Sequence, residues 1–444
     1  MTDRITDGEL PLWPLAAMFG AVPLLWLSGG FYLGWPLLGG LLGLVLLARR
    51  SRVELPTGSG LWLVFCVLVL ISAIRLDAGG LVVAALRFGF YVAAFLLLLY
   101  AYTALRDGQG WERVFRPLCL FWLSMVALGW LGVLLPTFAA VSPIELLLPA
   151  GLRANPFLSD LVHLRSSEYS TNATAPIYRP SAPFAYTNTW GSAWALLVPC
   201  VIAYVLSVRR GPLRRALLIS LPLSLPPAFL TLNRGMFVSL GAGLLLLAAR
   251  GIGRRQTTVV VSVVAATLLA GAVWLVIPVD ELISARTSSS DTTTDRIDLY
   301  RQALLLAERS PVIGYGAPVT VDTTTAQAPV GTQGQIWQVL VSHGVPALLC
   351  FLAFFVVTAR RSGRAVSPAG QWLATVPVIG AVQLPYYGLT FHNLTVLCYA
   401  IGLSMAAVDG PVRRAAPLPP AGAAPARGSG SPAPDRGGTA EQTA

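Results

Sequence analysis

The chain has 444 residues, of which 55% are hydrophobic and only 11% charged, with a mean hydropathy of +0.68. Soluble domains carry roughly 25% charged residues, so a soluble globular protein is excluded. The basic residues number 31, all Arg, against 20 acids, for a net charge of +11. Because they sit in short segments beside apolar runs, they bear on membrane orientation and not on nucleic-acid binding.

The opening MTDRITDGEL is mostly acidic and lacks the basic start of a signal peptide, so the apolar stretch behind it reads as a retained first span. A window of about 20 residues, enough to cross roughly 30 Å of hydrocarbon, predicts an all-α polytopic membrane protein with about twelve transmembrane helices. They fall near 11–29, 31–48, 59–77, 80–103, 117–136, 186–207, 215–232, 235–250, 257–278, 336–358, 369–387 and 392–409. The connections after even-numbered spans hold Arg49, Arg50 and Arg52, then Arg106, Arg113 and Arg116, then Arg209, Arg210, Arg214 and Arg215. Further along they hold Arg250, Arg254 and Arg255, then Arg360, Arg361 and Arg364, then Arg413 and Arg414. With Arg4, Arg427 and Arg436, 21 of the 31 arginines fall on one side. By the positive-inside rule that side is the cytoplasm, and both termini lie there.

Two connections on the other face are long, residues 137–185 and 279–335. All three histidines and most of the remaining ionisable groups lie near this face, so the working surface is expected there. The membrane domain is read as 1–409; from 410 to 444 the chain is rich in Pro, Ala, Gly and Ser and is expected to be a disordered cytoplasmic tail. Cys66, Cys119, Cys200, Cys350 and Cys398 lie in apolar runs with no CxxC or Cys/His cluster, so no disulfide framework and no metal site is predicted.

Arg87 stands deep inside LVVAALRFGFYVAAFLLLLY, where an unpaired charge costs roughly 3 kcal/mol or more. It reads as a contact to an anionic ligand or an ion pair beneath the outer site, or else as a side chain snorkelling to an interface. In LTLNRGMFVSL only Asn233, Arg234 and Gly235 are available for the outer turn, which pins Arg234 at the surface beside helix N-terminal amides that favour anions. A guanidinium can hold a phosphate bidentately, or serve as an anchor to ordinary phospholipid. In the second long loop, Thr292 and Asp295 suggest a helix start, Ile297, Tyr300, Leu304 and Ala307 recur on one face, and Ser310-Pro311 ends the pattern. This predicts an amphipathic helix on which Arg296 and Tyr300, four apart, share a side while Arg301 points elsewhere. Its bland reading is an interfacial helix with solvated charges. Gly314-Tyr315-Gly316 then forms a turn of wide backbone freedom.

Taken in order, TLNRG at 231–235, DRIDLYRQALLLAERSPVIGYG at 295–316 and GTQGQIWQVLVSHGVPALLCFLAF at 331–354 resemble the successive signatures of the O-antigen ligase and polymerase superfamily. RPSAPFAYTNTWGSAWALLVP at 179–199 is similar to the segment that precedes a span in that family, and the resemblance covers roughly 179–358. It implies a glycosyltransferase of the plasma or inner membrane that uses neither metal nor cofactor. Such an enzyme moves a glycan from a polyprenyl diphosphate carrier to an acceptor hydroxyl on a lipid, glycan or protein. It also implies that Arg234 and Arg296 clamp the diphosphate; Arg87, Asn233, Tyr300, Arg301, Tyr315, Gly316 and Trp337 are expected to line the substrate site, and Gln333 and His163 to stand in the catalytic set.

Where many members carry a His-Asn pair thought to act as base, this chain has Gln333-Gly334. Gln cannot take a proton at neutral pH. His343 lies ten residues on, about 15 Å deeper along a helix, and reads as a packed histidine. His163, Glu168, Asp160 and His392 stay open as the base. The rival functions are a polysaccharide exporter or other transporter, and an inactive binder of lipid-linked glycan. Transporters of this size show two similar halves and midplane ionisable groups, whereas this chain has no internal repeat and masses its polar groups in two loops.

Overall fold

A computed structural model describes residues 10–49, 53–170, 177–276, 292–320 and 329–411. Residues 412–444 of the tail expected from 410, Arg4, Arg50 and Arg52, and Asp280, Glu281, Arg286, Asp291 and Asp322 of the second loop lie outside the described residues. The described chain is helical with a little β structure. In order, the helices are α1 (Trp13–Gly20), α2 (Val22–Ser28), α3 (Phe31–Ala48), α4 (Ser59–Ser72), α5 (Ala78–Arg106) and α6 (Trp111–Leu134). After three short helices, α7 (Pro143–Leu147), α8 (Ala150–Arg153) and α9 (Pro156–Val162), come α10 (Thr187–Ser207), α11 (Pro212–Leu223), α12 (Leu225–Leu230), α13 (Arg234–Gly253) and α14 (Thr257–Val276). The chain continues with α15 (Thr292–Arg309), α16 (Gln335–Ser362), α17 (Pro368–Leu373), α18 (Val376–Gln383) and α19 (His392–Asp409).

Every apolar stretch expected as a span falls on helix. Among the described residues, seven segments are long and apolar enough to cross a membrane: α3, α5, α6, α10, α11 with α12, α13 and α16. Of the other stretches, α4 is shorter and two are broken. The first divides at Ala21 between α1 and α2, where Pro23 opens the second helix, and the eleventh divides between α17 and α18, where Pro377 does the same. The protein is therefore a polytopic helical membrane protein.

α5 is the central strut. Asp77 caps it by accepting the Gly80 N–H at 2.8 Å, and nearly every residue from Phe90 to Leu105 is buried. Neighbours approach it through glycine, as helices do in lipid. A Cβ at Gly39 of α3 would lie 2.6 Å from that of Ala93, and one at Gly402 of α19 would lie 2.5 Å from the Leu98 carbonyl oxygen.

α16 is broken inside its apolar length. Gly344 has φ 82° and ψ 178°, and Pro346 follows. The freed backbone groups are taken up by the segment after α15: the Tyr315 N–H donates to Val341 O at 3.0 Å, Gly316 N–H to Ser342 O at 2.7 Å, and Val345 N–H to Pro311 O at 2.7 Å. Non-helical backbone survives at membrane depth only where such partners exist. The PVIGYG segment is thus a wedge seated in the break.

α15 is the expected amphipathic helix, but its buried face differs. Leu299, Ala303 and Leu306 pack against Val330 and Val341, whereas Ile297 and Leu304 are 59% and 50% exposed. Tyr300 stacks on Trp337 of α16 with centroids 4.6 Å apart. Residues 137–185, expected only as a loop, fold into α7, α8 and α9, a two-residue pair β1 (Ala139–Ala140) with β2 (Leu164–Arg165), and a hairpin of β3 (Ser167–Ser170) with β4 (Ile177–Pro180).

Candidate active site

The turn from α12 into α13 sets the first arginine. Leu232 adopts φ 51° and Arg234 becomes the first residue of α13. Asn233 does not cap that helix: its amide donates to Asn188 O at 3.3 Å and its Oδ1 accepts from the Tyr387 hydroxyl. Glycine makes this junction possible, since a Cβ at Gly191 would lie 2.5 Å from Asn233 Nδ2 and one at Gly235 would lie 2.5 Å from the Tyr387 oxygen. Tyr386 donates to Gly235 O at 3.1 Å. Asn233 is therefore a buried knot among α10, α13 and the turn before α19, and it leaves Arg234 exposed at a helix N-terminus, with no hydrogen-bond or ion-pair partner among the described residues.

A second arginine arrives from the β3–β4 hairpin. Arg179 is 3% exposed and faces Glu168 in register across the hairpin, with a closest N–O distance of 3.6 Å. Glu168 is shared, since it also accepts the Thr187 N–H at 2.8 Å. Arg179 Nε is buried without a partner among the described residues. Burial pulls this guanidinium down from its ordinary pKa; Glu168 and Tyr387 oppose the shift and Arg296 adds to it.

Arg296 comes from α15, half-buried, and forms no ion pair among the described residues. It acts electrostatically on Arg179, on Tyr300 and on the Tyr387 hydroxyl, and Arg179 acts on Tyr387 too. Tyr387 thus lies in electrostatic range of two guanidiniums and is bonded to Asn233, the residue before Arg234. Arg179 and Arg296 share this neighbourhood with one partial counter-charge, Glu168, and Arg234 follows Asn233 at its edge in the chain. An anion placed among them would relieve their mutual repulsion and meet planar donors suited to phosphate.

The other expected residues divide around this cluster. Gln333 lies half-buried in the turn before α16 and makes no hydrogen bond among the described residues. Trp337 holds α15 by its stack and the turn before α19 by donating Nε1–H to Pro385 O at 3.0 Å. Arg301 is exposed on another side of α15. Tyr315 and Gly316 belong to the wedge, Tyr315 donating its hydroxyl to Leu306 O at 3.3 Å. Arg87 lies apart, beside His343 and Tyr91 and beneath the Phe157 ring at 5.4 Å.

The histidines are all engaged. His163 Nδ1 is 3.0 Å from Glu145 Oε2, and Glu145 is itself held in a capping box with Ser142. No contact among the described residues joins His163 to the three arginines. Asp160 is spent on Arg165 at 2.7 Å and Tyr186 at 3.1 Å. His343 is bonded to Ser72 at 2.6 Å. His392 is not at an open face: it is fully buried, stacked at 3.9 Å on Phe31 and ringed by Tyr32, Trp35, Phe90 and Phe184.

Three contributors were not singled out from sequence. Arg179 opens the RPSAPF segment and Tyr387 ends an apolar run, and neither position is marked locally. Gln335 is the other: its Oε1 accepts from Leu389 N and Thr390 N, each at 2.8 Å, and its amide donates to Tyr91 OH at 3.2 Å, tying α16 to α5 and to the turn before α19.

Residues 220–352 match the family model described as O-antigen ligase. The match contains Arg234, Arg296, Gln333 and the wedge in α16. The comparison with curated proteins found no match to this chain. Within a helical membrane architecture, residues 220–352 thus form a domain similar to the O-antigen ligase family.

Proposed function

We propose that the protein is a glycosyltransferase of the plasma or inner membrane that moves a glycan from a polyprenyl diphosphate to an acceptor hydroxyl on the outer face. The observation that carries this reading is the electrostatic coupling of Arg179 and Arg296 to each other and to Tyr387, whose hydroxyl is bonded to Asn233, the residue before Arg234. In this reading the twelve apolar segments all span, both termini are cytoplasmic, and the cluster faces outward. Arg234 and Arg296 hold the diphosphate, with Arg179 beneath them.

The acceptor oxygen forms a bond to the anomeric carbon while the bond from that carbon to the diphosphate breaks, and the bonding pair leaves with the diphosphate. Three guanidiniums then face charge that grows as the bond breaks, the condition under which fixed donors lower a barrier most. The positive charge comes from the protein's own side chains, so transfer proceeds with chelator present. Gln333 can orient the acceptor hydroxyl through its carbonyl oxygen but cannot hold its proton, which passes to the departing diphosphate. The membrane partners are the lipid-linked glycan and the acceptor.

The test uses purified protein in nanodiscs with a mixture of polyprenyl-diphosphate glycans, chelator and no nucleotide sugar. Wild type is expected to release free polyprenyl diphosphate. Arg234→Ala and Arg296→Ala should each lower release about 10²–10³-fold, the usual effect of losing one donor to developing charge. Full activity in both variants removes the clamp, and tight binding by wild type without release replaces the enzyme with a binder or transporter.

A further inference from the structure

Between α4, α5 and the break in α16 lies a cavity of about 190 Å³. Its walls are apolar, supplied by Val69, Leu70, Ala73, Leu81, Ala84 and Phe88, but its floor is polar, with Arg87, Ser342 and His343. Leu70 and Leu81 are 53% and 45% exposed on the outer surface of the helix bundle, and Ala85 beside them is exposed too, so the cavity opens sideways toward lipid.

Two polar atoms on this floor lack partners. Arg87 Nε and Ser342 Oγ are both buried with no hydrogen bond among the described residues, and no described carboxylate pairs with Arg87. The remaining polar groups are occupied: His343 Nδ1 is bonded to Ser72 Oγ, and the Ser342 carbonyl accepts the Gly316 N–H. One face of the Arg87 guanidinium is covered by the Phe157 ring at 5.4 Å. A buried cation beside an orphan hydroxyl calls for an anion that accepts from both.

We propose that this cavity is a second ligand site, which takes the anionic head of a membrane lipid, a phosphate or a carboxylate, inserted sideways between α4 and α5 with its chain left in the bilayer. The size fits such a fragment. Sites that enclose a drug-sized molecule run to roughly 300–1,000 Å³, so this one holds a head group and the first few carbons. The apolar, lipid-facing mouth disfavours a free ion arriving from water. The site is separate from the arginine cluster: the first turn of α16 stands between them, with Gln335 donating to Tyr91 on the cavity side and taking the Tyr387 carbonyl with its own N–H on the other.

The experiment places the full-length protein in neutral phosphatidylcholine nanodiscs doped with phosphatidic acid or with oleic acid, and counts retained anionic lipid by native mass spectrometry. Wild type is expected to retain one molecule of at least one of the two, and which one is retained names the head group. Arg87→Gln should lower retention at least tenfold. Ala85→Trp, which crowds the mouth and leaves Arg87 intact, should do the same, while Arg234→Ala retains lipid as wild type does. Retention of neither lipid overturns the proposal, as does undiminished retention in both cavity variants. Loss of retention in Arg234→Ala, or displacement of the lipid by millimolar inorganic phosphate, overturns it as well, by moving the anion to the arginine cluster or to water-accessible charge.

Discussion

Replacing Gly344 by Ala puts the break in α16 to the test. With φ 82° and ψ 178°, Gly344 occupies backbone space that is essentially closed to residues with a Cβ, and forcing one there costs of order 1–3 kcal/mol. The added methyl would also lie 2.4 Å from Val312 O and 2.8 Å from Pro311 O, so the wedge must shift, at about 1–3 kcal/mol for an overpacked site. The sum is about 4 kcal/mol. Unfolding entropy of roughly 2.1 cal/mol/K per residue over about 400 residues converts this to a fall in Tm of about 5 °C. The assay is thermal unfolding in detergent followed by tryptophan fluorescence. Gly241→Ala is the control, because nothing lies within 4 Å of its added Cβ in the interior of α13, and a helix-interior Gly to Ala change there should stabilise by roughly 1 kcal/mol. A Gly344→Ala protein that melts within 1 °C of wild type, or higher, would mean that α16 runs through unbroken and that Pro311–Gly316 does not sit in a gap.

Arg179→Ala should lower release of polyprenyl diphosphate about 10²-fold, whereas Glu168→Gln, which keeps all three guanidiniums, should lower it less than tenfold; equal losses would make the hairpin a scaffold and not a source of charge. Trp337→Ala removes the stack on Tyr300 and the bond to Pro385, so α15 should loosen by about 2 kcal/mol, read as faster proteolysis within 292–320 and unchanged protection of α5. In a Cys-free background, cysteines at 292–320 should react with a membrane-impermeant reagent added outside and those at 209–215 should not; the reverse pattern overturns the orientation. Deleting residues 415–444 should leave transfer unchanged, and a dead truncation would give the tail a role.

The helical architecture was legible because apolar runs near 20 residues long have few alternatives in lipid, where backbone groups must be satisfied internally. The same logic hides the finer points. On α15, Ile297 and Leu304 look as suited to burial as Leu299 and Leu306, because an apolar side chain at a bilayer surface serves lipid as well as protein; of the expected face, Ala307 is buried and Tyr300 stacks on Trp337, while Ile297 and Leu304 are exposed. The break in α16 is written in Gly344 and Pro346, yet prolines also stand within α3, α6 and α10 without such a break, so the partner segment decides. Arg234 and Arg296 could be named from local patterns, since each sits in a short turn or helix of distinctive composition. Arg179 and Tyr387 could not, because only the β3–β4 hairpin and the turn before α19 bring them beside Arg296. Two-residue strands such as β1 and β2 have no periodicity to read.

The Asn233 knot carries a consequence for how the protein is made. Its partners come from α10 and from Tyr387, which leaves the ribosome more than 150 residues after Asn233. Until that last turn emerges, Asn233 lacks its phenolic partner, Gly235 has no tyrosines against it, and Arg179 and Arg296 lack Tyr387 as a neighbour. A nascent chain halted near residue 380 would already hold Arg179, Arg234 and Arg296, yet would have no finished site. On the proposed activity, competence would then appear only at the end of synthesis. It also makes C-terminal truncations short of Tyr387 far more damaging than their size suggests.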